Sequence, residues 1–212
     1  MPSPLRRLLR KGWETVDSLL DIQYSALERL DRVNAIRVDA GEPQTRVLFV
    51  CKGNSCRSPM AEALLRKLLA EHDLQEIIGV DSAGTSDQNV GKRPHWRARQ
   101  CMRKRGISIR ERRGRQFTLK DFEYFDRIIA MDRENLSDLL SKSRNESDRS
   151  KLQLLLHYLP DVRSEDVPDP SGKSGRYFEE VCHLIEEVCH YLFEDISRIP
   201  QDRTSMNART HA

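Results

Sequence analysis

Val47-Leu48-Phe49-Val50, followed by Cys51-Lys52-Gly53-Asn54-Ser55-Cys56-Arg57-Ser58-Pro59, joins a short apolar run to a loop of small and polar residues and then to a helix start. Four consecutive apolar residues without polar alternation read as a strand buried on both faces. Ser58-Pro59 suits a first helical turn, where the missing proline N–H is no loss. Ala61, Leu64, Leu65, Leu68 and Leu69 supply the buried stripe of that helix. Arg57 stands six positions after Cys51. A loop of that length can wrap one tetrahedral anion with its N–H groups turned inward, and the helix beyond aims its positive end at the same point. That field favours a bound phosphate and equally a thiolate at Cys51. Arg57 adds a planar, charged fork for two phosphate oxygens, which lysine cannot imitate.

Outward from this unit, Ile77 to Val80, Arg127 to Ala130 and part of Leu152 to Leu156 read as further strands. Helices are expected from Pro94 to Lys104, Leu119 to Tyr124, Arg133 to Lys142 and about Gly175 to Ile196. The last buries Phe178, Val181, Cys182, Ile185, Val188, Cys189 and Leu192 on one face. Alternating strands and helices predict an α/β fold, a doubly wound four-stranded parallel sheet flanked by helices. Its ligand belongs beyond the carboxyl ends of the strands, where the loop after Val50 lies. Before it, residues 1–45 read as a helical N-terminal extension: apolar residues recur at helical spacing from Leu5 to Val33 and break near Gly12. The catalytic domain is expected over 46–197, and the polar, aperiodic 198–212 as a disordered tail.

With 212 residues, 38% of them hydrophobic, the chain can bury one ordinary core. Five cysteines, an odd number without a secretory signal, argue against a disulfide scaffold and for a reducing, cytoplasmic location. No apolar run has the length of a membrane span, so a soluble protein is expected. The net charge of +3 hides two opposite fields. Residues 92–115 hold eleven Lys or Arg against the single acid Glu111, whereas 161–196 hold ten Asp or Glu against Arg163, Lys173 and Arg176. An anionic partner would favour the first. Trp96 within it gives the composition of a nucleic-acid surface, but steering of a phosphorylated protein is simpler, and no nucleic-acid partner is expected.

The loop meets every fixed position of Val-Cys-x-Gly-Asn-x-Cys-Arg-Ser-Pro, the signature of the low-molecular-weight protein tyrosine phosphatases, and the chain resembles that family. The resemblance extends over roughly 46–196 through Asp81-Ser82-Ala83-Gly84-Thr85, Asn89-Val90-Gly91, Arg115-Gln116, Met131-Asp132, Asn135-Leu136 and Asp169-Pro170. It implies that Cys51 attacks phosphorus and that Arg57, with the loop residues Lys52, Gly53, Asn54, Ser55, Cys56 and Ser58, holds the phosphate. Asp169 would protonate the leaving group and then activate water. By the same resemblance, Asn54 and Ser82 brace the loop and Ser58 hydrogen-bonds the thiolate. Cys56 would form a reversible disulfide with Cys51. Neither metal nor cofactor is implied, because Arg57, the amides and the helix end supply the positive field.

Bland readings compete at some positions. Asp169-Pro170 is also an ordinary turn before a helix, and Cys182 and Cys189, seven apart on one helix face, read as core. Among functions, arsenate reductases of the same fold share the Cys-x-Gly-Asn-Ser-Cys-Arg loop but need two further cysteines, absent from Met131 to Arg144. A non-catalytic phosphate-binding module would be expected to lack one of Cys51, Arg57 and Asp169. A protein arginine phosphatase is the closer alternative. Ser55 is small, and Gln88 and Ser171-Gly172 stand where tyrosine-specific relatives have aromatic walls. The physiological substrate and the oligomeric state stay open.

Overall fold

The computed structural model of the chain describes residues 44–162 and 164–198. The expected N-terminal helices and nearly all of the expected polar tail lie outside them. Four strands form one parallel sheet in the order β2-β1-β3-β4: β1 Thr45–Cys51, β2 Ile78–Gly84, β3 Arg127–Ala130 and β4 Leu152–Leu154. The helices are α1 Arg57–Glu71, α2 Trp96–Lys104, α3 Leu119–Tyr124, α4 Arg133–Lys142, α5 Glu146–Ser150 and α6 Gly175–Ser197, with a 3-10 turn at Leu155–Tyr158. No helix among the described residues is long and apolar enough to cross a membrane.

Strand parity divides the core. Val47, Phe49 and Cys51 face one side, packing with α1, α2 and α6 residues such as Leu65, Met102, Phe178 and Ile185. Leu48 and Val50 face the other, with Phe117, Phe122, Ile128 and Leu139. A central parallel strand covered on both faces has no polar position to alternate, which accounts for its unbroken apolar run. The order β2-β1-β3 places neighbours on both sides of β1, and the crevice at its carboxyl end is the switch point where such sheets bind ligands.

Several element boundaries depart from the sequence expectation, β1 by extending from Val47–Val50 to Thr45–Cys51. β2 does not stop at Val80 but runs to Gly84, in register with Cys51. Its polar residues Asp81 and Ser82 looked like a loop because their partners come from elsewhere in the chain. The helix expected from Pro94 starts at Trp96 instead, where the His95 imidazole accepts from the Arg97 N–H at 3.2 Å. α5 escaped the sequence reading altogether. Glu146-Ser-Asp-Arg-Ser150 has no apolar period, and the turn rests on Asn145, whose side chain accepts from the Asp148 N–H at 2.9 Å.

α6 is bound to α2 by charge as well as by apolar packing. Arg105, just past α2, reaches Glu179 at 2.6 Å and Glu186 at 2.8 Å, and Lys104 reaches Glu179 at 3.0 Å. Burial alone would raise the Glu179 carboxyl, but Arg105, Lys104 and the Cys101 thiol donate to it and hold it at about 2. A carboxyl depressed on folding stabilises the native state above its unfolded value and loses that contribution as pH falls through the folded one. Glu179→Gln should therefore cost about 1–3 kcal/mol at neutral pH, after discounting for partial exposure. Its stability should also fall less steeply than that of the parent between about pH 4.5 and about pH 2. Urea unfolding across that range checks this, and identical acid limbs would mean that the clamp adds nothing.

Candidate active site

Residues Cys51 to Arg57 turn from the end of β1 into α1, and among the described residues no other group accepts from the N–H groups of Gly53 to Ser58. Unengaged donors ringing a helix N-terminus form a cradle for an anion. The turn requires Asn54 to adopt φ 46°, a left-handed conformation that asparagine tolerates better than most residues. β2 closes beneath it. A Cβ on Gly84 would stand 2.9 Å from the Lys52 carbonyl oxygen and 3.0 Å from the Asn54 nitrogen. Only glycine lets the sheet approach the loop so closely.

Asn54 is the hub of the support. Its amide donates to Ser58 Oγ and Ser82 Oγ, both at 2.9 Å, and its Oδ1 accepts from the Arg115 N–H at 3.0 Å. Ser82 Oγ donates in turn to Glu62 Oε2 at 2.8 Å. Glu62 is buried in α1 and ion-paired with Arg66 and Arg112. Ser58 Oγ, already accepting from Asn54, has one proton to offer, and Cys51 Sγ lies 3.0 Å away with the Ala83 carbonyl at 3.2 Å. A thiolate at Cys51 would draw that proton toward itself.

Arg57 is 4% exposed and held at one end. Its Nη1 donates to Asp132 Oδ2 at 2.5 Å and to the Val167 carbonyl at 2.9 Å, which uses both hydrogens of that nitrogen. Nη2 is 3.5 Å from Asp169 Oδ2. Burial opposes the guanidinium charge, but Cys51, Asp132 and Asp169 more than offset it. Asp132 opens α4, and its other oxygen accepts from the Asn135 N–H at 2.7 Å. One carboxylate thus caps a helix and orients the arginine.

Asp169 sits half-exposed at the loop mouth, with Oδ1 accepting from the Ser171 N–H at 2.9 Å. Burial pushes the Asp169 carboxyl up, but the Ser171 N–H and hydroxyl, then Arg57 and Lys52, pull harder and hold it below its ordinary range. Burial drives the Cys56 thiol the other way, up to about 12, with Ser55 Oγ 3.7 Å from its sulfur. Cys56 therefore stays protonated at neutral pH. Lys52 points its ammonium at Glu134, 2.7 Å away. Among the described residues no group of three or more His, Cys, Asp or Glu side chains could hold a metal ion.

The candidate catalytic, binding and loop-support residues thus lie in the loop after β1 and the first turn of α1, at the end of β2 and in the segment before α6. Reading the sequence assigned no role to Asp132, Glu62 or Asn89, and it read Ser171 only as a pocket position. Asp132 carried a usable signal, since it directly follows a strand adjacent to β1 and precedes a helix. Asn89 stood in the motif Asn89-Val90-Gly91, but that its amide donates to the Gly53 carbonyl at 3.1 Å emerges only with the fold.

Asn54→Ala removes three hydrogen bonds and places alanine in the left-handed region, so it should cost about 2–4 kcal/mol. Turnover of a small aryl phosphate should fall with it. Ser82→Ala removes one link and should cost about 1 kcal/mol. Chemical unfolding and steady-state kinetics on both variants test the order, and a milder effect for Asn54→Ala would remove it from the centre of the network.

The family model described as "Low molecular weight phosphotyrosine protein phosphatase" matches residues 46–202. Low molecular weight protein-tyrosine-phosphatase YfkJ of Bacillus subtilis is 43% identical over 155 residues, covering 73% of this chain and 97% of its own. The crystal structure of YfkJ superposes with a TM-score of 0.70 at 42% identity, over 74% of this chain and 98% of that one. The structure of DARP, named a drosophila arginine phosphatase, gives a TM-score of 0.65 at 38% identity over 71% and 96% of the two chains. Sheet, loop and sequence agree, and the chain belongs to the low molecular weight phosphotyrosine protein phosphatase family of hydrolases.

Proposed function

We propose that this chain hydrolyses phosphorylated side chains of proteins in two steps through a phosphocysteine at Cys51. The observation that supports this most strongly is the joint placement of Arg57. Asp132 and the Val167 carbonyl occupy its Nη1, while the amide-lined loop lies on one side and Asp169 lies 3.5 Å from Nη2. In the first step the Cys51 thiolate attacks phosphorus, the S–P bond forms, and the ester P–O bond breaks with a proton passing from Asp169 to the leaving oxygen. In the second, the Asp169 carboxylate takes a proton from water, the water oxygen attacks phosphorus, and the S–P bond returns its electrons to Cys51. Ser58 steadies the thiolate in both. Arg57, with the N–H groups of Lys52, Gly53, Asn54, Ser55, Cys56 and Ser58, holds the oxygens whose charge grows in the transition state.

The depressed Asp169 carboxyl fits this cycle. Without substrate it is a carboxylate; a bound phosphate ester adds negative charge beside Arg57 and favours uptake of the proton that the first step needs. We place the reaction in the reducing cytoplasm, because Cys51 must remain a thiol.

Phosphotyrosine is the first substrate proposed, since the relatives are so named. Phosphoarginine is the second reading, favoured by the small Ser55 on the loop and by Gln88 and Ser171 in place of aromatic walls.

Cys51→Ser should abolish turnover of aryl phosphates without unfolding the protein. Asp169→Asn should slow esters with poor leaving groups far more than activated aryl phosphates, because only the former need the proton. Equal losses on both would leave Asp169 a structural role. Ser55→Ile should lower any phosphoarginine activity more than phosphotyrosine activity, since a branched side chain obstructs the planar guanidinium while a phenyl ring packs against it. The ratio of kcat/KM on matched peptides decides it. A parent enzyme inert toward phosphoarginine would leave the tyrosine reading alone.

A further inference from the structure

Two segments frame the mouth of the phosphate loop. The first is fastened along it at two points: the Asn89 amide donates to the Gly53 carbonyl at 3.1 Å, and the His95 N–H donates to the Ser55 carbonyl at 2.8 Å. Lys92 and Arg93 are exposed between these points. The second runs from Asp169 to the start of α6. Its Ser171 N–H donates to Asp169 Oδ1 at 2.9 Å, and Lys173 is exposed two residues on. Arg97 stands at the seam. Its guanidinium carbon lies 4.5 Å from the Trp96 ring centroid, and its Nε is 3.9 Å from where a Cβ on Gly175 would be.

Away from this rim, many basic side chains are neutralised: Arg105, Arg115, Arg133 and Arg144 each meet at least one carboxylate within 3.1 Å. Among the described residues, Lys92, Arg93, Arg97 and Lys173 meet none. Lys92 donates to the Gln88 carbonyl at 2.8 Å, and the Arg97 guanidinium has only the Trp96 face. The acids on these two segments are Asp87 and Asp169. Grouped cations without counter-charges repel one another, and a ligand that brings carboxylates relieves this.

We propose that this arc reads acidic residues next to the phosphorylated residue, so that the preferred substrates are phosphopeptides with Asp or Glu flanks. The inference rests on the phosphatase reading of the loop. Single exposed pairs are weak, but four cations around one mouth raise the local concentration of an acidic segment and fix its direction. Arg97, already held over Trp96, loses less freedom on pairing than a loose side chain would. The same stacking disfavours nucleic acid, because Arg97 covers a Trp96 face on which a base would stack.

The test uses the full chain and two phosphopeptides identical except for Asp or Lys at the positions flanking the phosphorylated residue. The acidic peptide should be cleaved with a kcat/KM about tenfold higher at low salt, mainly through KM. The difference should shrink in ~0.5 M salt. Arg93→Glu combined with Lys173→Glu should remove most of that preference and leave turnover of a small aryl phosphate unchanged. Normal turnover of the aryl phosphate with equal efficiency on the two peptides overturns this inference alone. Absence of aryl phosphate turnover overturns the phosphatase reading and this inference with it. A short single-stranded oligonucleotide that inhibits peptide cleavage better than an unphosphorylated acidic peptide assigns the arc to nucleic acid and likewise overturns the proposal.

Discussion

A carboxylate accepts hydrogen bonds and has none to give, and Glu62, ion-paired with Arg66 and Arg112 inside α1, sets a direction on those that lead to the nucleophile. Because Ser82 must donate to Glu62, its oxygen is left to accept from Asn54. The second Asn54 hydrogen then goes to Ser58, which turns the Ser58 proton outward to Cys51 or the Ala83 carbonyl. The loop could hold a phosphate without this order, but it could not present a hydroxyl proton to a thiolate.

This constraint works only because three strand ends meet. β1 delivers Cys51, β2 delivers Ser82 and the close-packed Gly84, and β3 delivers Asp132 to the far side of Arg57. Strand parity matters as much as proximity: Cys51 shares the face of Val47 and Phe49, which is the face that α1 covers. A one-residue slip of β1 would turn the sulfur away from the helix N-terminus. The apolar run Val47 to Val50 therefore acts on the chemistry indirectly, through burial on both faces that fixes the register.

What could be read from sequence divides along the same line. Cys51 and Arg57 were legible because loop length, helix start and charge all act within a few residues, and the parallel sheet was legible because strands and helices alternate. Asp132 could be flagged by its place after a strand, but its pairing with Arg57 could not be read, since the two are remote in the chain and meet only when β3 lies beside β1. Glu62 drew no attention in the sequence, where a charged residue on a helix is ordinarily solvated, yet it is 1% exposed. Asp81 and Ser82 looked like loop for the opposite reason: polar residues in a strand make sense only once Arg115 and Asn54 are seen beside them. Periodicity detects burial against apolar neighbours and is blind to burial against a polar network.

The distribution of charge separates the residues that build the fold from those left for a partner. Arg105 ties α2 to α6, Arg115 ties the loop before α3 to β2, and Arg57 is held by Asp132, each through carboxylates brought from distant parts of the chain. Those pairings are satisfied internally, so they contribute nothing to long-range attraction for a substrate. The cations of the rim differ in kind, since among the described residues no carboxylate meets them although the acid-rich α6 begins beside them. The first acids of α6 are engaged elsewhere: Glu179 and Glu186 pair with Arg105, and Glu180 pairs with Arg176. The clamp on Arg105 thus spends two α6 carboxylates on fastening the last helix, which separates the charges that hold the fold from those at the mouth of the phosphate loop.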